Sequence, residues 1–212
     1  MMRFNLHTSE TAPPASQELL RRVQNGLGFL PTLFAKLAES AVALAAYLDL
    51  RTHFEKCSLS PVEQQVVALA VSVENGSTFC TSAHSYAARH VAGLSEDCID
   101  ALRENRQLPD PRLQVLAQFT RDVVRERGRL DNGDLNVFLA AGYSMEQALE
   151  VIMGVALKTF TNYASHIVRP PLNAEFAAEY WVPAPAVKPL GESAEARAND
   201  DGDATIPNRR RH

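Results

Sequence analysis

Cys80 and His84 stand four residues apart in the segment Glu74-Asn75-Gly76-Ser77-Thr78-Phe79-Cys80-Thr81-Ser82-Ala83-His84. On a helix that spacing places thiol and imidazole on one face, where the imidazole is in reach to take the thiol proton or to pair with the thiolate. Asn75-Gly76 stops the preceding helix and Ser77 is positioned to cap the next one. Cys80 then lies in a first helical turn, where unpaired N–H groups and the positive dipole end favour a thiolate relative to a free thiol of pKa ~8.5. The competing reading is a buried cysteine acting as a small hydrophobe, with a histidine one turn away by chance. Glu63 and Glu74 are the nearest carboxylates in sequence.

The remaining thiols, Cys57 and Cys98, sit at helix ends, where packing is the favoured role over resolution of an oxidised Cys80. Three widely spaced cysteines make neither a disulfide framework nor the paired short-interval ligands of a zinc site. No metal and no cofactor are therefore expected, and cysteine chemistry would be catalytic or redox-sensing. His166 and Asn162, again four apart on a late apolar helix, either line the same cavity or serve the core; a hydrogen-bonded core histidine is the favoured reading.

These side chains need helices to position them, and the punctuation is helical almost throughout. Ser40 to Lys56 has no internal breaker. Ser60-Pro61-Val62-Glu63 is a capping box opening a helix to about Glu74. A further helix runs from Ser77 to Ala92 with Gly93 beyond, and Ser95 with Glu96 and Asp97 opens another. Asp110-Pro111, Asp131 and the Ser144/Gln147 pair begin three more, the last running to Val168 before Pro170-Pro171. No alternating strand pattern appears, so the fold class is all-α, a bundle of about seven to nine helices. The domain boundaries read as an irregular arm at 1–15, a helical domain at 16–182 and a tail at 183–212, disordered or docked on a neighbouring subunit.

The 212 residues are 46% hydrophobic with net charge −4, which suits one globular domain and gives no electrostatic reason to expect nucleic acid or an anionic membrane as partner. No apolar run approaches the ~20 residues of a membrane span, and Glu10, Pro13 and Pro14 interrupt any secretory signal pattern. The expected location is the cytoplasm.

Leu59 to Ser72, followed by Asn75-Gly76 and by Cys80 with Ala83-His84-Ser85, resembles the core motif of the alkylhydroperoxidase D and carboxymuconolactone decarboxylase superfamily. Gly28-Phe29-Leu30-Pro31 and Thr159-Phe160-Thr161-Asn162-Tyr163 are similar to segments of its peroxidase-related members, and the resemblance spans roughly residues 25–175. It implies an AhpD-like helical oligomer built on trimers. In the family's peroxidases a Cys-x-x-Cys pair precedes a histidine by four residues; the second cysteine attacks the hydroperoxide and the first resolves the sulfenic acid. By that mapping Cys80 is peroxidatic, His84 is its histidine, and the resolving position is Ser77, which cannot form a disulfide. The relay glutamate twelve residues before the first cysteine is Gln65 here, and the relay histidine before the peroxidatic cysteine is Phe79; Glu63 and Glu74 are the carboxylates available to substitute.

Three functions follow from the resemblance. The leading one is a one-cysteine thiol peroxidase, an antioxidant oxidoreductase that reduces hydrogen peroxide or organic hydroperoxides and is regenerated by an external thiol. The second is a lactone decarboxylase-like enzyme in which the histidine moves the proton. The third is a degenerate oligomer that binds a small ligand or only assembles.

Overall fold

The computed structural model describes residues 4–184, which form nine α-helices and no strand. They are α1 (Pro14–Leu27), α2 (Thr32–Leu37), α3 (Ala41–Phe54), α4 (Pro61–Glu74), α5 (Thr78–Ala87), α6 (Glu96–Arg103), α7 (Pro111–Arg125), α8 (Asn132–Ala140) and α9 (Met145–Val168). Local chemistry sets most boundaries. Ser60/Glu63, Asp131/Asp134 and Ser144/Gln147 make reciprocal capping boxes, and Asp110 caps α7 with Pro111 in its first turn. Two elements differ from the expectation. Residues 77–92 are not one α-helix: the last turn, Ala88–Ala92, is π-helical and ends at Gly93 with φ of 72°. The short helix α2, begun after Pro31, had no pattern of its own in the sequence.

Helix α4 is the axis of the bundle. Val66 to Ser72 are all buried, as befits a helix that is apolar all round and enclosed by neighbours. α7 and α9 pack along it, and α5 turns back across it. Burying Val66, Val67, Leu69 and Val71, each under 1% exposed, contributes about 1.5–3 kcal/mol per side chain. α9 buries Val151, Gly154, Leu157, Lys158, Thr161, Asn162 and Ser165 toward α3, α4 and α5. Gly154 permits the close approach, since a Cβ there would meet the Phe54 ring at 2.7 Å and Val67 Cγ1 at 2.8 Å.

Beyond α9 the chain straps back over α5. Asn173 Oδ1 accepts from the Thr32 backbone N–H at 2.8 Å, and a 3-10 turn at Ala174–Glu179 follows. Glu179, 6% exposed, holds Arg89 at 2.7 Å and Arg103 at 3.3 Å. The Trp181 backbone N–H donates to Ser82 Oγ, and its indole N–H to the Arg103 carbonyl. At the other end, His7 bonds Glu39 at 2.9 Å and its backbone N–H donates to the Ala35 carbonyl. Apart from 183 and 184, the segment read as a tail lies outside the described residues.

Candidate active site

Ser77 caps α5 as its position after Asn75-Gly76 required: its Oγ accepts from the Cys80 backbone N–H at 3.3 Å. Cys80 therefore occupies the first turn, is 2% exposed, and lines a cavity of about 470 Å³. That volume falls in the range of small-molecule sites. The lining is mainly apolar and aromatic, with Phe29, Phe34, Tyr47, Phe79, Tyr86 and Phe176 prominent. Phe176 fixes part of this wall by edge-on contacts to Phe29 at 5.6 Å and Phe79 at 6.0 Å. The polar groups facing the cavity are few: Cys80, His84, Gln65, Gln64, Lys158, Thr161, Arg51, Glu55 and the Tyr47 hydroxyl.

His84 is spoken for at both ring nitrogens. Nδ1 lies 2.9 Å from Gln65 Oε1, and Nε2 lies 2.5 Å from Lys158 Nζ. The amide oxygen only accepts, so Nδ1 carries the hydrogen and Nε2 presents its lone pair to lysine. Burial, and then the charges of Lys158 and Arg51, hold the imidazole well below its usual pKa and keep it neutral. Burial likewise lowers the pKa of Lys158, against the opposing pull of the Cys80 charge, with Arg51 adding to the lowering. Tyr47 is pushed up by burial, with Arg51 opposing and Cys80 reinforcing. Lys158 and the Tyr47 hydroxyl thus share the buried cavity with Cys80.

The structure brings together three of the residues singled out from sequence, Cys80, His84 and Gln65. Ser77 is fully buried behind the cavity wall and shares a 2.9 Å bond with Ser165 Oγ. Glu63 and Glu74 line no part of the cavity: Glu63 closes the α4 cap and pairs with Arg112, while Glu74 holds Arg125 by bonds of 2.8 and 2.6 Å. Cys57 and Cys98 are free and also lie outside the cavity lining; Cys57 receives the Gln64 amide at 3.7 Å. Asn162 is a core residue bonded to Asn75 and Ser72. His166 corrects its expectation. It is exposed beside Arg169 on a separate shallow depression, because α9 turns that position outward.

Lys158 was the residue sequence reasoning missed. A lysine seven residues after Val151 and seven before Ser165 shares their helix face, and a charge in phase with a buried face is the signal that finds it. Among the described residues no group of three or more His, Cys, Asp or Glu side chains is placed to hold a metal ion, and no helix is long and apolar enough to cross a membrane.

The arrangement is similar to known proteins. Residues 38–122 match the model of the carboxymuconolactone decarboxylase family. No curated protein sequence matches significantly. Among solved structures, an uncharacterised peroxidase-related protein with an alkylhydroperoxidase AhpD core from Ralstonia eutropha JMP134 superposes with TM-score 0.74 at 20% identity. The match covers 82% of this chain and 93% of that one. A peroxidase-related protein from Silicibacter sp. TM1040 gives TM-score 0.72 at 21% identity over 82% and 92% of the two chains. The debrominase Bmp8, as a cysteine-to-alanine variant in complex with 2,3,4-tribromopyrrole, gives 0.70 at 18% identity over 84% and 95%. The chain thus shares the helical AhpD-core fold of these structures, and over residues 38–122 it matches the carboxymuconolactone decarboxylase family model.

Proposed function

We propose that the protein is a one-cysteine thiol peroxidase that reduces organic hydroperoxides in preference to hydrogen peroxide. The observation that carries this reading is Cys80 at a helix start, facing an aromatic-lined cavity of about 470 Å³ that no second thiol lines. A cavity of that size and lining is wasted on hydrogen peroxide and suits an apolar organic body. Without a resolving thiol, an external thiol regenerates Cys80, and the reaction takes place in the cytoplasm, where such thiols are abundant.

The test is consumption of cumene hydroperoxide and hydrogen peroxide in the presence of a thiol reductant, with mass spectrometry of Cys80. Turnover that favours the organic substrate, with one added oxygen on Cys80 and loss of both in Cys80→Ser, supports the reading. An inert Cys80 sinks it and leaves a ligand-binding or merely assembling member of the fold. Activity indifferent to Cys80→Ser but lost in His84→Ala would instead point to lactone decarboxylation. The aromatic lining and the likeness to a debrominase favour one second reading, thiol-dependent reduction of a haloarene, and halide release from a brominated aromatic distinguishes it.

The same reading includes self-association. Met145, Leu149, Ile152, Ala156, Phe160, Tyr163 and Ile167 form an exposed apolar stripe along α9 at three- and four-residue spacing. Such spacing over a 24-residue helix fits pairing with the same stripe of a second copy, within the trimer-based oligomer expected from the resemblance.

A further inference from the structure

We propose that Lys158 is the catalytic acid–base partner of Cys80, and that His84 and Gln65 position it. The proposal rests on the thiol-peroxidase reading and reassigns the proton transfer within it.

Geometry first takes His84 away from the sulfur. Both of its nitrogens are engaged, one with Gln65 and the other with Lys158, so neither is free for the thiol. Cys80 and Lys158 line the same cavity, reaching it from α5 and α9. Lys158 is 3% exposed and makes no salt bridge to a carboxylate among the described residues. An ammonium in that position needs an anion or must shed its proton. Of the acids that line the cavity with it, Glu55 is bonded to Arg51 and burial keeps Tyr47 a phenol, which leaves Cys80; two forms of the pair then interconvert by moving one proton: Sγ–H beside Nζ H₂, and Sγ⁻ beside Nζ H₃⁺. Lysine has hydrogen to donate to His84 Nε2 in both forms. That bond therefore holds Nζ in place whatever its charge, which is what a proton carrier requires. Tyr47 cannot do the same work, because burial keeps its phenol protonated.

The chemistry balances without a proton from solvent. Lys158 takes the thiol proton. The thiolate sulfur attacks the outer oxygen of R–O–O–H, an S–O bond forms, and the O–O bond breaks with its electron pair leaving on RO⁻. Sulfur is oxidised to the sulfenic acid, and Lys158 gives the stored proton to RO⁻ to release the alcohol. Two equivalents of an external thiol then return Cys80 to the thiol with loss of water and formation of their disulfide.

The experiment uses full-length protein with Cys57→Ser and Cys98→Ser, comparing Lys158→Met and His84→Ala. One arm follows Cys80 alkylation by iodoacetamide across pH and involves no peroxide. The other measures the rate of Cys80 oxidation by an alkyl hydroperoxide, whose leaving alkoxide needs a proton, and by a peroxyacid, whose leaving carboxylate does not. Lys158→Met should slow alkylation at neutral pH about tenfold or more and recover at alkaline pH. It should cut the alkyl hydroperoxide rate about 100-fold and the peroxyacid rate only by the roughly tenfold loss seen in alkylation, since a leaving carboxylate needs no proton. His84→Ala should lower both rates alike and keep the wild-type ratio between them. The proposal is overturned if Lys158→Met leaves the alkylation profile unchanged, or if the selective loss follows His84→Ala and not Lys158→Met. Wild-type protein inert to both oxidants would fail the peroxidase reading, and the alkylation arm would still decide the pairing of Lys158 with Cys80.

Discussion

Placing one methyl group on Gly154 and one on Gly26 should move stability in opposite directions. Both glycines lie inside helices, α9 and α1, so alanine gains up to about 1 kcal/mol of helix propensity at each. At Gly26 a Cβ meets nothing within 4 Å, and that gain stands alone, trimmed somewhat by the nearby helix end. At Gly154 the Cβ would lie 2.7 and 2.8 Å from two Phe54 ring atoms and 2.8 Å from Val67 Cγ1. Each contact is roughly 1 Å shorter than an optimal carbon–carbon separation. Val67 is fully buried on the central helix and has nowhere to go; Phe54 can yield only into the cavity it lines. Overpacking of this kind costs about 1–3 kcal/mol, which outweighs the propensity gain and leaves Gly154→Ala about 1 kcal/mol less stable. The two variants should then differ by about 2 kcal/mol, which is about 4–8 °C in Tm for a chain of this size. Differential scanning calorimetry under matched conditions measures it. A Gly154→Ala variant that gains as much as Gly26→Ala would refute the close packing of α9 on α3 and α4, and with it the placement of Lys158 one turn further along.

Three further outcomes are expected. Ser77→Cys sacrifices the α5 cap, at about 1 kcal/mol, and supplies the missing resolving thiol. One equivalent of hydroperoxide should then yield an intramolecular disulfide by mass, and a persistent sulfenic acid at Cys80 would show that position 77 is out of reach. At Glu63, burial alone would raise the pKa, but hydrogen bonds from Ser60 and the Arg112 charge more than offset it and the carboxyl titrates low. Its stabilising contribution is present above the unfolded carboxyl pKa and lost as pH falls through the lowered folded value. Glu63→Gln should therefore be less stable than the parent near neutrality, with the gap in chemical-denaturation midpoint closing on acidification; a gap that widens in acid contradicts this. Leu149→Glu with Ile167→Glu should reduce the mass seen by light scattering to that of one chain without unfolding it. An unchanged mass would remove the α9 stripe from the interface.

Most of the bundle was legible in the sequence because helix ends are written locally. Ser60 with Glu63, Asp110 with Pro111, and Ser144 with Gln147 satisfy the first backbone N–H groups from within four residues, so no tertiary knowledge is needed to place them. Cys80 in the first turn of α5 followed from the same short-range logic through Asn75-Gly76 and Ser77. The π-helical turn after Ala87 did not, because its bonding is decided by how the chain leaves α5 for Gly93. The hydrogen-bonded array at the site was hidden for a deeper reason. Gln65, His84 and Lys158 come from three helices, and their meeting depends on how far each is rotated and slid against the others. α9 in particular carries two sets of apolar residues, one through Val151, Leu157 and Val168 and one through Leu149, Phe160 and Ile167. Sequence periodicity cannot choose between them. Gly154 against Phe54 and Val67 chooses the first, and that rotation alone turns Lys158 inward and His166 out to solvent.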